Sequence, residues 1–284
     1  MIRLNEKEFA DIVKYMRDTY GINLEKKQIL IECRMSRELE RLGFTSFGAY
    51  FDKMRKDPTG EIAQELVVML TTNYTYFMRE PEHFKLLKEN IFPEMFRENY
   101  GAFYNIWCAG CSTGEECYTL AMLLKDYKDA GRQMPNIRIT AADISEEVLR
   151  KAKEAVYPVK ELEQLPFEWR EKYCHMENEL QFSIDKELRF NIRFVKQNLM
   201  EPVSEKYDLI LCRNVMIYFD RDSRRKLVRQ LENNLNPGGY LLIGHAELLS
   251  GDETDLRSVY PAVYRKNVKE NDQAAKEAIW KRKL

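Results

Sequence analysis

The sequence predicts an α/β fold. A parallel sheet covered by helices is interrupted by a small antiparallel insert and preceded by an all-helical segment. Three observations carry this. From about residue 103 onward, short apolar runs alternate with helical stretches, the rhythm of a parallel sheet with both faces covered. Residues 1 to 70 hold apolar positions at helical spacing and no strand signal. Between Pro158 and Arg193 the rhythm breaks into period-two alternation.

Charge and composition exclude several function classes. With 45 Lys+Arg against 46 Asp+Glu, no bulk field attracts nucleic acid. At 32% charged and 44% hydrophobic the chain is too apolar to be disordered and too charged to be a membrane protein. No run approaches the roughly 20 apolar residues that span a bilayer, and the N-terminus MIRLNEKEFADI shows no signal-peptide core. Six cysteines in 284 residues make no disulfide framework and read as reduced thiols. A cytoplasmic globular monomer, without membrane insertion, is the expectation.

The first helix takes Phe9, Ile12, Val13 and Met16 and ends at Tyr20-Gly21. A second runs from about Lys26 to Leu42 and stops at Gly43, a natural residue for a left-handed helix end. Its Ile31, Met35, Leu39 and Leu42 form a core stripe, and Arg34, Arg37 and Arg41 a basic one on another face. Such a stripe is a solvated face or a docking surface for an acidic partner. Phe47–Met54 and Glu61–Leu70 are helical, separated by Asp57-Pro58-Thr59-Gly60.

Strands are expected at Asn105–Cys108, Ile137–Ala141, Phe194–Val195, Leu209–Cys212 and Tyr240–Gly244. Helices are expected at Glu115–Ala130, Glu146–Ala155 and Ser223–Leu235, and a turn at Asn236–Gly239. Gln181–Asp185 and Leu188–Phe194 alternate with period two and are assigned to the antiparallel insert.

The loop after the first strand, Trp107 to Glu116 (WCAGCSTGEE), is the most informative stretch. Strand, glycines, then helix is how α/β folds let backbone approach a nucleotide. Ser112 and Thr113 stand three residues before Glu115 and Glu116, the capping-box spacing. Two carboxylates at that helix start repel a pyrophosphate by about 1 kcal/mol or more per close pair. NAD, FAD and ATP are therefore disfavoured, and S-adenosylmethionine, a phosphate-free sulfonium nucleoside, fits better. A purely capping role for the glutamates remains open. Asp143, at the end of the second strand, suits ribose hydroxyls as well as it suits a helix cap. Cys108-x-x-Cys111 has no second cysteine pair, and His83, His175 and His245 are scattered singly, so no zinc site is expected. Both cysteines read as small apolar fillers.

At this point the chain resembles a known family, the CheR-type chemotaxis receptor protein-glutamate O-methyltransferases. The matching segments are Thr71–Glu80 (TTNYTYFMRE), Ala109–Tyr118 (AGCSTGEECY), Ala142–Leu149 (ADISEEVL), Asn198-Leu199, Tyr207–Asp220 (YDLILCRNVMIYFD) and Gly244–Leu248 (GHAEL), in order and at suitable separations. The resemblance implies an S-adenosylmethionine-dependent methyltransferase (Rossmann-like) sheet with a small antiparallel β-subdomain behind an all-helical N-terminal domain. It implies a helical receptor-facing domain over 1–70, a linker over 71–90 that contributes to the cofactor site, a methyltransferase domain over 91–268 with an insert at about 158–193, and a polar tail over 269–284.

It further implies methylation of glutamate side chains on the cytoplasmic domain of chemoreceptors, giving methyl esters that set adaptation. Cofactor positions are then Asn73, Thr75, Arg79, Glu116, Asp143, Asn198, Leu199, Cys212 and Arg213. Arg79 and Tyr218 match the reacting centre, and Arg34 and Arg37, with Arg41 beside them, match the basic receptor-facing helix. Two departures stand out. One family arginine position holds Glu40 here, and Cys174–Leu180 lacks the glycine by which some members grip a receptor peptide, so peptide tethering is not expected. No metal is expected. The competing readings are a non-catalytic S-adenosylmethionine sensor and a methyltransferase of the same fold with another protein acceptor.

Overall fold

The computed structural model describes residues 2–71, 73–97 and 103–268; the tail expected over 269–284 lies outside the described residues. Helix α1 (Glu6–Tyr20) opens with a capping box, Asn5 accepting from the Glu8 amide while the Glu8 carboxylate accepts from the Asn5 amide. It ends at Gly21, whose φ of 71° gives the left-handed turn. Helices α2 (Gln28–Arg41), α3 (Phe47–Lys56) and α4 (Glu61–Leu70) follow. Ile12, Met16, Ile31, Met35, Leu39, Phe47 and Leu66 share one buried core as their spacing demands, but Leu42, expected in the same stripe, is exposed because α2 has ended before it and it serves as the C-cap. Gly43 is left-handed at the end of α2.

Beyond the linker, α5 (Pro81–Leu86), a π-helical turn over Leu87–Ile91 and α6 (Phe92–Phe96) lead to β1 (Phe103–Ala109). Next come α7 (Glu115–Asp129), β2 (Asn136–Asp143) and α8 (Glu146–Glu154). A three-stranded antiparallel sheet is built from β3 (Val156–Pro158), β4 (Cys174–Met176) and β5 (Gln181–Ile184), with α9 (Phe167–Tyr173) between the first two. Then α10 (Lys186–Arg189), β6 (Ile192–Lys196), β7 (Tyr207–Cys212), α11 (Arg221–Asn234), β8 (Leu235–Ile243), β9 (Arg257–Tyr260) and β10 (Val263–Arg265) complete the described fold.

The main sheet has seven strands in the order β6-β2-β1-β7-β8-β10-β9. Its first five strands are mutually parallel; β10 is antiparallel to β8 and to β9. Successive strands run outward from β1 on one side and from β7 on the other, so the switch point lies between these two. In open α/β sheets a ligand crevice forms there, at the carboxyl ends of the strands.

Three expectations are corrected. Leu188–Phe194 does not belong to the antiparallel insert: its first part is the short α10 and its second is β6, paired in parallel with β2. An edge strand is wetted on one face, so it alternates just as an antiparallel strand does. The turn expected at Asn236–Gly239 is the irregular start of β8, with Gly238 at φ 82° and its amide bonded to the Lys266 carbonyl. The sheet is also not wholly parallel. Strands β9 and β10, of four and three residues, are too short to show a period.

The helical module touches the sheet domain at one place that matters. Ile22 bridges antiparallel to Phe219, the Asn23 amide donates to the Tyr218 carbonyl at 2.8 Å, and Asn198 Nδ2 donates to the Thr19 carbonyl at 2.9 Å. Gly21 is obligatory here, because a Cβ on it would lie 2.8 Å from the Phe219 ring and 2.9 Å from Met200 Sδ.

Candidate active site

A cleft of about 990 Å³, the open solvent at its mouth included, lies over the switch point. Its floor is the set of strand ends: Gly110–Ser112 after β1, Asp143 closing β2, Gln197–Leu199 after β6 and Arg213–Val215 after β7. Its roof is Tyr20 and Ile22 from the helical module, Asn73, Thr75, Tyr76 and Arg79 from the linker, and Tyr218 and Phe219 beside β7. The loop after β1 needs backbone freedom: Gly110 has φ 85°, and a Cβ there would sit 2.4 Å from Val215 Cγ2.

Asp143 is buried and accepts from the Ser112 amide through Oδ2 and the Ser145 amide through Oδ1, each at 2.9 Å. Burial raises its pKa, and those amides oppose the rise. The helix-cap reading is not borne out, because Ser145 is the N-cap of α8 and its hydroxyl accepts from the Val148 amide; the ligand reading keeps acceptor capacity on Asp143, since a carboxylate has about four lone-pair sites.

Glu116 faces the cleft and receives Arg213 Nη1 at 2.8 Å. The Arg213 side chain is 1% exposed; it also donates to Glu80 Oε2 at 3.1 Å and to the Arg79 carbonyl, and it lies over the Phe84 ring. Burial pushes the Glu116 carboxyl up against the pull of Arg213. For Glu80 burial acts in the same upward sense, but Arg213 and Asn214 prevail and hold its pKa below the ordinary value. Arg213 is therefore the counter-ion of the site, joining the linker to the sheet.

Glu115 and Glu116 part company. Glu115 is absent from the cleft lining, buried, and bonded through both carboxylate oxygens to Thr113 Oγ1 at 2.7 and 2.8 Å; burial pushes its pKa up to about 7. The expected capping boxes do not form. Gly114 is the N-cap, and Ser112, at φ 49°, turns its hydroxyl onto the Asn73 carbonyl instead. Left-handed residues at 110, 112 and 114 aim the hydroxyls away from the helix start.

Arg79 donates to the Tyr74 carbonyl at 2.9 Å and lies over the Tyr76 ring. Leu199 and Asn198 line the cleft, but Cys212 does not: it closes β7 with its side chain wholly buried in the core between the sheet and α11. Cys108 and Cys111 are free and buried, the fillers their surroundings require. Arg34, Arg37 and Arg41 lie off the cleft. Arg34 donates to the Met69 and Thr71 carbonyls, Arg41 grips Glu38 through two bonds, and Arg37 is exposed.

The histidines are not all scattered. His83 and His245 pack with ring centroids 4.4 Å apart and planes tilted by 52°, beside Glu80. Burial, then Arg213 and His245, pull the His83 pKa down to about 4. Of the three side chains, Glu80 is already committed to Arg213 through the same oxygen that faces both rings.

Sequence reasoning overlooked Tyr20, Ile22, Phe84, Gln197 and Phe219 as cleft residues. Tyr20-Gly21 was legible only as a helix end, since nothing local says what it roofs.

A family model described as CheR methyltransferase, SAM binding domain, matches residues 73–264, and a second, the all-alpha domain of the same family, matches residues 7–71. The chain belongs to the CheR methyltransferase family. It is 40% identical over 274 residues to a chemotaxis protein methyltransferase of Borreliella burgdorferi, covering 94% of this chain and 96% of the relative. It is 35% identical to chemotaxis protein methyltransferase 2 of Pseudomonas aeruginosa, over 91% and 92% of the two chains. Among solved structures, the N-methyltransferase NodS of Bradyrhizobium japonicum with S-adenosyl-L-homocysteine aligns at a TM-score of 0.33 and 16% identity, over 58% of this chain and 60% of that one.

The CheR cleft fits the cofactor that its SAM-binding domain implies. Asp143 offers acceptor lone pairs for ribose hydroxyls, Glu116 adds negative charge for a cationic ligand, and Ile22, Ile144, Leu199, Val215 and Phe219 supply apolar walls for a purine. No helix among the described residues is long and apolar enough to cross a membrane.

Proposed function

We propose that this CheR protein transfers the methyl group of S-adenosylmethionine to glutamate side-chain carboxylates of chemoreceptors, acting in the cytoplasm as a monomer and without a metal. The observation that carries the reading is the convergence of Asp143, Glu116, Arg79 and Tyr218 in the lining of one cleft. Bound S-adenosylmethionine supplies an electrophilic methyl group on a sulfonium. The remaining work is alignment and exclusion of water. A glutamate is ionised at neutral pH, so no general base is required of the protein.

Asp143, Glu116, Asn73, Thr75, Asn198 and Leu199 hold the cofactor in this reading, and Arg213 balances Glu116. Arg79, a guanidinium at the cleft wall, receives the acceptor carboxylate or the cofactor's own carboxylate. Tyr218 places its side chain beside the acceptor oxygen. Tyr20, Ile22 and Phe219 close the roof against water. Residues 1–70 form the receptor-facing domain, 71–90 the linker and 91–268 the methyltransferase domain. On α2, Arg37 and Arg41 meet an acidic receptor surface and Arg34 anchors α2 to the linker through the Thr71 carbonyl.

Incubation with methyl-labelled S-adenosylmethionine and a receptor cytoplasmic fragment tests this. Label released as methanol by base identifies a carboxyl methyl ester. Binding without transfer makes the protein a sensor, and base-stable label places the methyl on another acceptor group. Arg37→Glu is expected to slow receptor methylation in a salt-dependent way while leaving cofactor affinity unchanged.

A further inference from the structure

Tyr218 sits on a short turn, Met216–Tyr218, that leaves β7 through three irregular residues. Such a turn has few bonds of its own: the Tyr218 amide reaches the Val215 carbonyl at 3.2 Å, and the Phe219 amide the Met216 carbonyl at 3.1 Å. Asn214 before it is left-handed at φ 60°, a conformation that costs a non-glycine residue energy and must be held from outside.

The helical module holds the far end of the turn, through the Asn23 amide on the Tyr218 carbonyl at 2.8 Å, and one buried side chain holds the near end. Glu247 is fully buried, and its carboxylate gathers three backbone amides: Asn214 at 2.7 Å and Gly244 at 2.8 Å through Oε2, and Ile217 at 3.2 Å through Oε1. Of these amides, that of Asn214 precedes the turn by two residues and that of Ile217 lies in its middle. The third fastens the carboxylate to the end of β8, and Gly244 has no Cβ because one would lie 2.8 Å from Glu247 Oε2.

We propose that Glu247 is the positioning residue for Tyr218: by gathering the Asn214, Ile217 and Gly244 amides it sets the turn that presents Tyr218 to the cleft. This rests on the methyl-transfer reading of the cleft. Arg213, one residue before Asn214, is held by Glu80, Glu116 and the Arg79 carbonyl; Glu80 also accepts from Asn214 Nδ2 at 3.3 Å, so Glu80 takes the Asn214 side chain where Glu247 takes its backbone amide.

The test uses Glu247→Gln in the full chain. An amide presents one acceptor oxygen where the carboxylate presents two, so either the Ile217 amide or the Asn214 and Gly244 pair faces an N–H. Amide exchange over residues 214–219 is expected to quicken by roughly tenfold or more, and kcat for methyl transfer to fall roughly 10–100-fold, as a misplacement near 1 Å costs. The Kd for S-adenosylmethionine, which also verifies folding, should stay within about threefold, because Arg213 keeps its own anchors. Combined with Tyr218→Phe, the loss should be no greater than that of Tyr218→Phe alone. Glu247→Asp, too short to reach all three amides, should behave alike and guards against a single variant that fails to fold.

Unchanged exchange, unchanged kcat, or losses that multiply in the double variant would each overturn the role of Glu247. If the wild-type protein binds S-adenosylmethionine but methylates no receptor fragment, the functional reading fails, while exchange over 214–219 still decides whether Glu247 sets the turn.

Discussion

Arg213 and Glu116 meet at 2.8 Å, one at the end of β7 and the other in the first turn of α7, in a side-chain environment that leaves the guanidinium 1% exposed. Neighbouring parallel strands deliver opposite charges to the switch point, and Glu80 joins from the linker at 3.1 Å. Removing the cation leaves two carboxylates buried without a counter-ion. Arg213→Met is expected to lower the unfolding free energy by about 3–5 kcal/mol and to abolish tight cofactor binding, measured by urea denaturation and calorimetric titration. A variant of wild-type stability would mean that the network is ornamental.

Asp143→Ala should raise the Kd for S-adenosylmethionine roughly 10–150-fold, the value of one or two hydrogen bonds to a charged group. It also strands the Ser112 and Ser145 amides, so Asp143→Asn is the cleaner partner in the same titration. An unchanged Kd in both variants would leave Asp143 only its bonds to the Ser112 and Ser145 amides.

Arg79→Ala should lower kcat for receptor methylation by roughly tenfold or more, since a positioned guanidinium at the acceptor aligns the reacting carboxylate. The Kd for cofactor should change less. Equal loss in both would show that Arg79 serves the cofactor's carboxylate rather than the acceptor's.

Glu115 imposes a pH dependence whose sign runs opposite to that of a salt-bridged carboxylate. Burial holds its folded pKa at about 7, above an unfolded value of about 4.3. Between those values the folded state binds the extra proton, so stability is lost as pH rises through about 4.3 to 7 and levels off above. The contribution is on the order of 3 kcal/mol. Glu115→Gln stays neutral and should lack this fall, so urea midpoints at pH 5 and pH 8 should converge for the variant relative to wild type.

Gly21→Ala and Gly43→Ala separate backbone strain from a clash. Both glycines are left-handed, at φ 71° and 80°, but only Gly21 faces a neighbour, and nothing lies within 4 Å of a Cβ on Gly43. Each should lose about 1–2 kcal/mol for the conformation, with about 1–3 kcal/mol more at Gly21 for the overlap with Phe219 and Met200. Only Gly21→Ala should weaken cofactor binding, because it lifts the roof formed by Tyr20 and Ile22.

Much of this molecule was legible along the chain because its signals are local. Of the stripe Ile31, Met35, Leu39 and Leu42, the three inside the helix face the core and only Leu42, past its end, is exposed, while Gly43 could only end a helix. Asp143 and Glu116 were found because strand ends and helix starts are marked by residue type. Leu188–Phe194 misled because half-wet edge strands of either direction alternate alike. The capping boxes failed because the φ of Ser112 is set by packing, and spacing carries no record of it.

By itself the sequence determined the α/β architecture, the helical module ahead of it and the carboxylate-rich loop after the first strand. Each follows from periodicity or from charge at a defined place, both properties of neighbouring residues. Only the tertiary structure decided that Arg34 binds carbonyls near the end of α4, that Glu115 turns away while Glu116 turns in, and that His83 meets His245. It alone also brought Glu247 under Tyr218. These pairings join residues that are up to 162 positions apart in chain numbering, as at His83 and His245. Nothing short of the assembled sheet sets their distances, because a long loop can bring its ends together in many ways and packing selects one.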